Sequence, residues 1–460
     1  MTVDLAAGTG LGGDAAGDTL FGIEGLVGSA YNDLVTGDAN ANTIFGLAGD
    51  DTLYGGVGND DLWGGDGNDT LYGGKDADAL HGDGGFDFAR YDASASGVTV
   101  NLATGLGSGG VAEGDTLFAI EGLVGSAYGD TLIGDAGTNV FFGLAGNDIL
   151  QGGGGADDLW GGDGADTLYG GTGADSLHGD AGFDFARYDT SSAGVTVNLA
   201  TGTGLGGDAQ GDTLAGIEGV VGSAFNDLVT GDANANTIFG LAGDDTLYGG
   251  VGADDLWGGD GNDTLYGGKD ADALHGDGGF DFARYDASAS GVTVNLVTGL
   301  GSGGVAEGDT LFSIEGLVGS AYGDTLIGDA GANTFFGLDG NDTLQGGGGG
   351  DVLLGGAGAD HFVYTALNDS TTGAPDQILD FSLVQNYRID LSAIDANTSL
   401  GGDQAFTLVG AFSNQAGQAV LTYDAVHDTT ALTLDVNGDG VSDFLLNING
   451  HLTTSDGFIF

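Results

Sequence analysis

From Gly28 to Asp87 the chain returns every nine residues to a glycine and, five positions later, to an aspartate or asparagine. One unit reads Gly55-Gly56-Val57-Gly58-Asn59-Asp60-Asp61-Leu62-Trp63 and the next Gly64-Gly65-Asp66-Gly67-Asn68-Asp69-Thr70-Leu71-Tyr72. Carboxylates at a fixed period, each beside glycines whose carbonyls lie bare, form an oxygen-only donor set. Calcium uses such a set, taking about six to eight oxygens at about 2.3–2.6 Å. In the first run the candidate ligands are Asp33, Asp51, Asp60, Asp69, Asp78 and Asp87, with the carbonyls of Gly55, Gly64 and Gly73. The second offers Asp130, Asp148, Asp157, Asp166, Asp175 and Asp184 with Gly152, Gly161 and Gly170. The third offers Asp227, Asp245, Asp254, Asp263, Asp272 and Asp281 with Gly249, Gly258 and Gly267. A shorter fourth run has Asp324, Asp342, Asp351 and Asp360 with Gly346 and Gly355. Asn42, Asn139, Asn236 and Asn333 fill a ligand position without charge, so sites there are expected to be weaker.

Those ligands need an element that brings residues eighteen apart into register. Six residues of each nonapeptide suit a tight turn, where glycine tolerates left-handed backbone, and three suit a short strand. Two nonapeptides then make one flattened coil, and successive coils stack as a parallel β-roll, an all-β solenoid. Each ion is expected between stacked turns, bridging Asp51 to Asp69 or Asp60 to Asp78. The inward apolar column is Ile44, Leu53, Leu62, Leu71 and Leu80. The last strand residues form outward ladders, Phe45-Trp63-His81 on one face and Tyr54-Tyr72-Arg90 on the other. The partners considered for the ladders are the neighbouring insert folding back, lateral self-association, or sugar rings. A lone histidine per ladder (His81, His178, His275) lacks the second ligand that zinc requires. Arg90, Arg187 and Arg284 are expected to pair with local carboxylates where the acidic rows run out.

Composition agrees. The 460 residues carry 68 acidic side chains against 6 Lys plus Arg, a formal net charge of −62. That charge destabilises a compact state by self-repulsion, so the chain is expected to be disordered without a cation. No basic patch exists to meet phosphates, which excludes nucleic acid and anionic membrane as partners. There is no cysteine for a disulfide or thiolate site. No run of about 18 apolar residues would make a transmembrane segment. Met1-Thr2-Val3-Asp4-Leu5 has neither the basic start nor the apolar core of a signal peptide.

A longer period of 97 residues overlies the short one: Thr2-Val3-Asp4-Leu5 recurs at Thr99, Thr196 and Thr293. It divides the chain into units 1–97 (roll 28–90), 98–194 (roll 125–187), 195–291 (roll 222–284) and 292–363 (roll 319–363), then a C-terminal segment 364–460. Residues 17–97 and 211–291 differ at only four positions, so a 194-residue block has been duplicated. Tandem copies suit a spacer or surface polymer better than a catalytic site. Met1 opens in mid-unit, an expectation of a fragment. Between rolls lie 34-residue inserts such as 91–124, read either as wider coils of the solenoid or as small caps.

The nonapeptides resemble the repeats-in-toxin (RTX) family of secreted calcium-binding proteins. The inserts, with Ile120-Glu121-Gly122 followed by Gly125-Ser126, are similar to those of long RTX surface proteins and alginate epimerase repeat modules. Beyond His361, Asp376-Gln377-Ile378-Leu379-Asp380-Phe381 and Ile389-Asp390-Leu391-Ser392 resemble the C-terminal domain of serralysin-type proteases. That resemblance implies a β-rich capping domain bearing an uncleaved signal for the type I secretion machinery of a Gram-negative bacterium. The chain ends Asp456-Gly457-Phe458-Ile459-Phe460, with glycine where the family more often has an acidic residue. Asp435, Asn437, Asp439 and Asp443 take positions 1, 3, 5 and 9 of an EF-hand-like loop, but Leu446 replaces the glutamate of position 12. Ion binding and a plain hairpin turn both remain open there. His-Glu-x-x-His is absent, and neither a Gly-x-Ser-x-Gly elbow nor a phosphate loop stands out. The sequence thus points away from an enzyme. It favours an extracellular or cell-surface calcium-folded structural or adhesive protein, over the non-catalytic repeat region of a carbohydrate-active enzyme or protease, or a self-assembling filament subunit.

Overall fold

An apolar residue in the middle of each three-residue strand of the rolls, mostly leucine or isoleucine, with the flanking residues pointing away, dictates a narrow core between two sheets. The computed structural model, which describes residues 1–460, has that arrangement and no α-helix, only five single-turn 3-10 segments. No helix is long and apolar enough to cross a membrane. The chain divides into two units, Met1–Val229 and Thr230–Phe460.

In the first unit the strand Thr52–Val57 pairs in parallel with Thr70–Lys75, and Asp61–Asp66 with Ala79–Gly84 on the opposite sheet. The registers join Leu53 to Leu71 and Leu62 to Leu80, eighteen residues apart as expected. Ile44, Leu53, Leu62, Leu71 and Leu80 are all fully buried. Glycine is needed at Gly65, which has φ 111° and where a Cβ would stand 2.0 Å from the Leu47 carbonyl oxygen of the coil before.

The insert is a wider coil. Thr116–Phe118 stacks in parallel on Ala79–Gly84 and Gly122–Val124 on Phe88–Arg90, so the last part of the insert continues both sheets of the roll. Ahead of these, Thr99–Asn101 and Leu106–Ser108 form an antiparallel hairpin that enters one sheet, the latter strand meeting Thr116 and the former passing the stack on to Thr131–Ile133. One sheet therefore gains strands that the other lacks. In the next insert the matching hairpin, Thr196–Asn198 with Thr203–Leu205, enters the other sheet. An odd number of nonapeptides separates the two inserts, which exchanges the faces.

The second unit repeats this plan through Thr237–Ala242, Thr264–Lys269 and the insert strands Thr293–Asn295, Leu300–Ser302 and Thr310–Phe312. Parallel rungs continue past the last glycine run: Asp376–Ile378 stacks on Val352–Leu354 and Arg388–Asp390 on His361–Val363. An antiparallel sheet of Gln418–Asp424, Thr429–Asp435 and Phe444–Asn449 follows. Its last strand pairs with Asp376–Ile378, while Phe458–Ile459 pairs with Arg388–Asp390.

Candidate metal centre

Every coil turns its slot aspartate inward beneath the glycine five residues earlier. Asp33, Asp51 and Asp69 donate their backbone N–H groups to Oδ1 of Asp51, Asp69 and Asp87 at 2.7, 2.8 and 2.7 Å. On the other edge Asn42 and Asp60 donate likewise to Asp60 and Asp78 at 2.7 and 2.8 Å. One oxygen of each carboxylate is thus fixed. The other, Oδ2, is buried without a partner at Asp51, Asp60, Asp69, Asp78 and Asp87. The same holds at Asp148, Asp157, Asp166, Asp175 and Asp184, and at Asp254, Asp263, Asp272, Asp281, Asp342, Asp351 and Asp360.

A main-chain oxygen converges with each of several of these. A Cβ on Gly46 would lie 2.1 Å from Asp51 Oδ2 and 2.6 Å from the Gly64 carbonyl oxygen. Gly55 stands in the same way between Asp60 Oδ2 and Gly73 O, and Gly249 between Asp254 Oδ2 and Gly267 O. Gly152, Gly161, Gly170, Gly258, Gly346 and Gly355 each lie over their own aspartate, and their carbonyls face the glycine eighteen residues before. Asp69 spends Oδ1 on the Asp51 N–H, and the group that nears Asp51 Oδ2 is a glycine carbonyl. No group of three or more His, Cys, Asp or Glu side chains converges anywhere, so carbonyls must supply much of the donor set.

Burial dominates the electrostatics. It pushes Asp51 and Asp60 up to about 6, Asp148 and Asp157 to about 7, and Asp78 and Asp272 to about 8. The backbone N–H that each accepts offsets this in part, and neighbouring carboxylates add to it. An ionised carboxylate with one buried oxygen unsatisfied is costly. A divalent cation removes the cost by bonding that oxygen, and the donors present fit calcium.

Other expected positions differ. Asp33, Asp130, Asp227 and Asp324, first in their rows, are served by serine: Ser126 N–H and Oγ donate to Asp130, and Ser320 N–H and Oγ to Asp324. Ser29 and Ser223 do the same for Asp33 and Asp227. Asn42 and Asn333 accept the Asp38 and Asp329 N–H groups, which leaves a neutral, bonded slot. In the C-terminal loop Asp435 accepts from Gly438 and Gly440 N–H, Asp443 from Val436 N–H, and Asp439 from Val441 N–H. That loop satisfies its own carboxylates, unlike the rolls.

The rows also run further than expected. Asp78 donates its N–H to Asp115 Oδ1 at 2.9 Å, and Asp87 to Glu121 Oε2 at 2.9 Å. Asp212, Asp309 and Asp376 repeat the first contact with Asp175, Asp272 and Asp351. Gly114-Asp115-Thr116-Leu117 spells the same slot and strand as Asn68-Asp69-Thr70-Leu71, a signal available in the sequence. A buried tyrosine closes this row, Tyr188 Oη donating to Asp212 Oδ2 at 3.1 Å. Arg90, Arg187 and Arg284 pair as expected, their Nε groups 3.3, 3.0 and 3.2 Å from Asp92, Asp189 and Asp286.

The outward aromatics stack on one another. Phe45, Trp63, His81 and the insert residue Phe118 follow at centroid spacings of 5.9, 3.8 and 4.6 Å. The insert thus lengthens the ladder instead of covering it. Histidine serves as a rung, with Asp61 Oδ1 3.4 Å from His81 Nε2.

Comparison with known proteins matches these features. The RTX calcium-binding nonapeptide repeat model matches residues 27–62, 54–89, 123–150 and 151–186. The matched repeats are RTX nonapeptides, a type that binds multiple calcium ions. The model of the peptidase M10 serralysin C terminal matches residues 179–460, more than half of the chain, and the protein belongs to that family. Metalloprotease AprA of Pseudomonas entomophila is 40% identical over 95 residues, 21% of this chain and 19% of that one. Metallopeptidase AprA of Pseudomonas marginalis is 42% identical over 95 residues, and serralysin C of Dickeya chrysanthemi 35% over 98. The matched part spans about a fifth of the length of these curated relatives. Among solved structures, the AlgE6R2 subunit of the Azotobacter vinelandii mannuronan C5-epimerase aligns over 40% of this chain and 92% of its own, at 21% identity and TM-score 0.23.

Proposed function

We propose that these 460 residues are a non-catalytic, calcium-folded structural or adhesive module, exported by a type I machinery and folded outside a Gram-negative cell. The observation that carries this reading is the row of buried carboxylate oxygens without partners. They make the roll costly to form without a cation and stable with one. Asp51, Asp60, Asp69 and their counterparts, with the carbonyls of Gly64, Gly73 and theirs, are the proposed ligands; the self-bonded loop at Asp435–Asp443 is not. Where calcium is scarce the chain stays unfolded and can thread an exporter. Outside, calcium binds the folded state alone and draws folding forward by mass action. The serralysin-type C-terminal segment, rungs followed by an antiparallel sheet, would close the roll and present the export signal. Relatives bearing the name metalloprotease favour a second reading, in which such a module accompanies a catalytic domain in a longer secreted enzyme.

Circular dichroism during a calcium titration of the metal-free chain tests the proposal. Strand signal is expected to appear cooperatively at about 10⁻⁴–10⁻³ M calcium, the range of extracellular modules. A full strand signal before any calcium is added would refute it.

A further inference from the structure

The last aspartate of each of the first three rolls has no nonapeptide after it, yet its surroundings match those of the aspartates inside the roll. Asp87 is fully buried, and its Oδ2 has no partner. A Cβ on Gly82 would stand 2.6 Å from that oxygen and 2.0 Å from the carbonyl oxygen of Ala119, an insert residue. Ala119 therefore occupies the place that Gly64 takes over Gly46 and Gly73 over Gly55.

The chain reaches that place by another route. Phe118 stacks on His81, and the next strand begins at Gly122, so the connecting turn is 119–121 in place of the longer 82–87. The shortened turn holds Ala119 at φ 48°, a left-handed conformation uncommon for residues other than glycine. It also brings Glu121, one methylene longer than aspartate, to the Asp87 N–H. Both later inserts repeat the geometry. Gly216 O and Asp184 Oδ2 lie 1.9 and 2.7 Å from the Gly179 Cβ position, and Ser313 O and Asp281 Oδ2 lie 2.1 and 2.6 Å from that of Gly276. Gly216 and Ser313 have φ 62° and 50°. Serine and alanine held left-handed at matching positions, each aiming a carbonyl at a buried unpartnered carboxylate oxygen, suggest strain kept for a ligand.

We infer that each insert closes a calcium site of its own, built from Asp87 with the carbonyl of Ala119, Asp184 with that of Gly216, and Asp281 with that of Ser313. The ion fastens the insert to the roll before it. This rests on the calcium reading of the rolls, and the test separates the two. In the full chain, Asp87→Asn, Asp184→Asn and Asp281→Asn are combined, since asparagine keeps the Oδ1 acceptor that Asp69 uses but places an amide where the ion would bind. Calcium bound per chain is measured by equilibrium dialysis, and backbone exchange by deuterium uptake. The variant is expected to bind three ions fewer than the wild type and to exchange faster in residues 116–124, 213–221 and 310–318. The single variant Asp87→Asn, a milder change, is expected to bind one fewer. Unchanged stoichiometry in both, with the wild type still loaded, overturns the insert sites alone. A wild type that binds no calcium overturns the roll reading itself.

Discussion

At the scale of single residues, the decisive feature is that glycine and aspartate share one volume. Gly64 has no room for a methyl group, because its Cβ would lie 2.2 Å from Asp69 Oδ2. The glycine is needed for space there, not for an unusual φ. Gly64→Ala is therefore expected to displace the carboxylate from its ion and destabilise the calcium-loaded fold by about 1–3 kcal/mol, as overpacking does. Gly401→Ala is the matched control, since nothing lies within 4 Å of that Cβ position. Denaturant titration in excess calcium compares them. Equal midpoints for the two variants would mean that the turn relaxes without cost and that the carboxylate is not held in place by an ion.

At the scale of the element, each coil joins two acidic slots to a strand pair, so its stability is tied to protonation. In the metal-free roll burial raises the slot carboxylates, Asp342 and Asp351 to about 7 and Asp78 and Asp376 to about 8. Unfolded, they titrate near about 4. Between these values the folded roll binds more protons than the unfolded chain, so its stability falls as pH rises from about 4 to about 8. A dialysed, metal-free sample is expected to gain strand signal as pH drops through that window. With excess calcium the trend reverses, because protons compete for the ligand oxygens and the thermal midpoint should fall. Parallel pH series by circular dichroism read both. Identical trends with and without calcium would show that the slot carboxylates do not hold the ion. The coil itself was legible in the sequence, since the nine-residue period fixes strand, turn and slot together, and Leu53 meets Leu71 as the spacing requires. The hairpin of the insert, Thr99–Asn101 with Leu106–Ser108, was not, because neither short strand carries a period to say which sheet it joins. Nor was the main-chain oxygen of the insert, although the glycine carbonyls of the runs were: Ala119 offers only its carbonyl, and no side chain announces it. The place of Glu121 in the acidic row was not legible, because a shortened turn moves it out of the nonapeptide phase.

At the scale of the whole chain, the question is whether calcium acts by neutralising charge or by coordination. A net charge of −62 would be relieved in part by any electrolyte. At about 1 M salt the screening length is about 3 Å, short enough to quiet exposed carboxylates. The slot oxygens are different, being 0–2% exposed at Asp51, Asp60, Asp69, Asp78 and Asp87, out of reach of a diffuse ion atmosphere. Sodium chloride is therefore expected to shrink the unfolded chain without creating strands. Magnesium should do little more, because it prefers an octahedral shell at about 2.0–2.1 Å and gives up its waters reluctantly, whereas carbonyl and carboxylate oxygens here converge in turns closed to bulk water. Calcium alone should yield both compaction and strand signal, with a transition sharpened by the many sites stacked within each unit. Small-angle scattering and circular dichroism on the same samples separate the two effects. If salt or magnesium produced the strand signal, coordination in the glycine turns would not be what folds the roll.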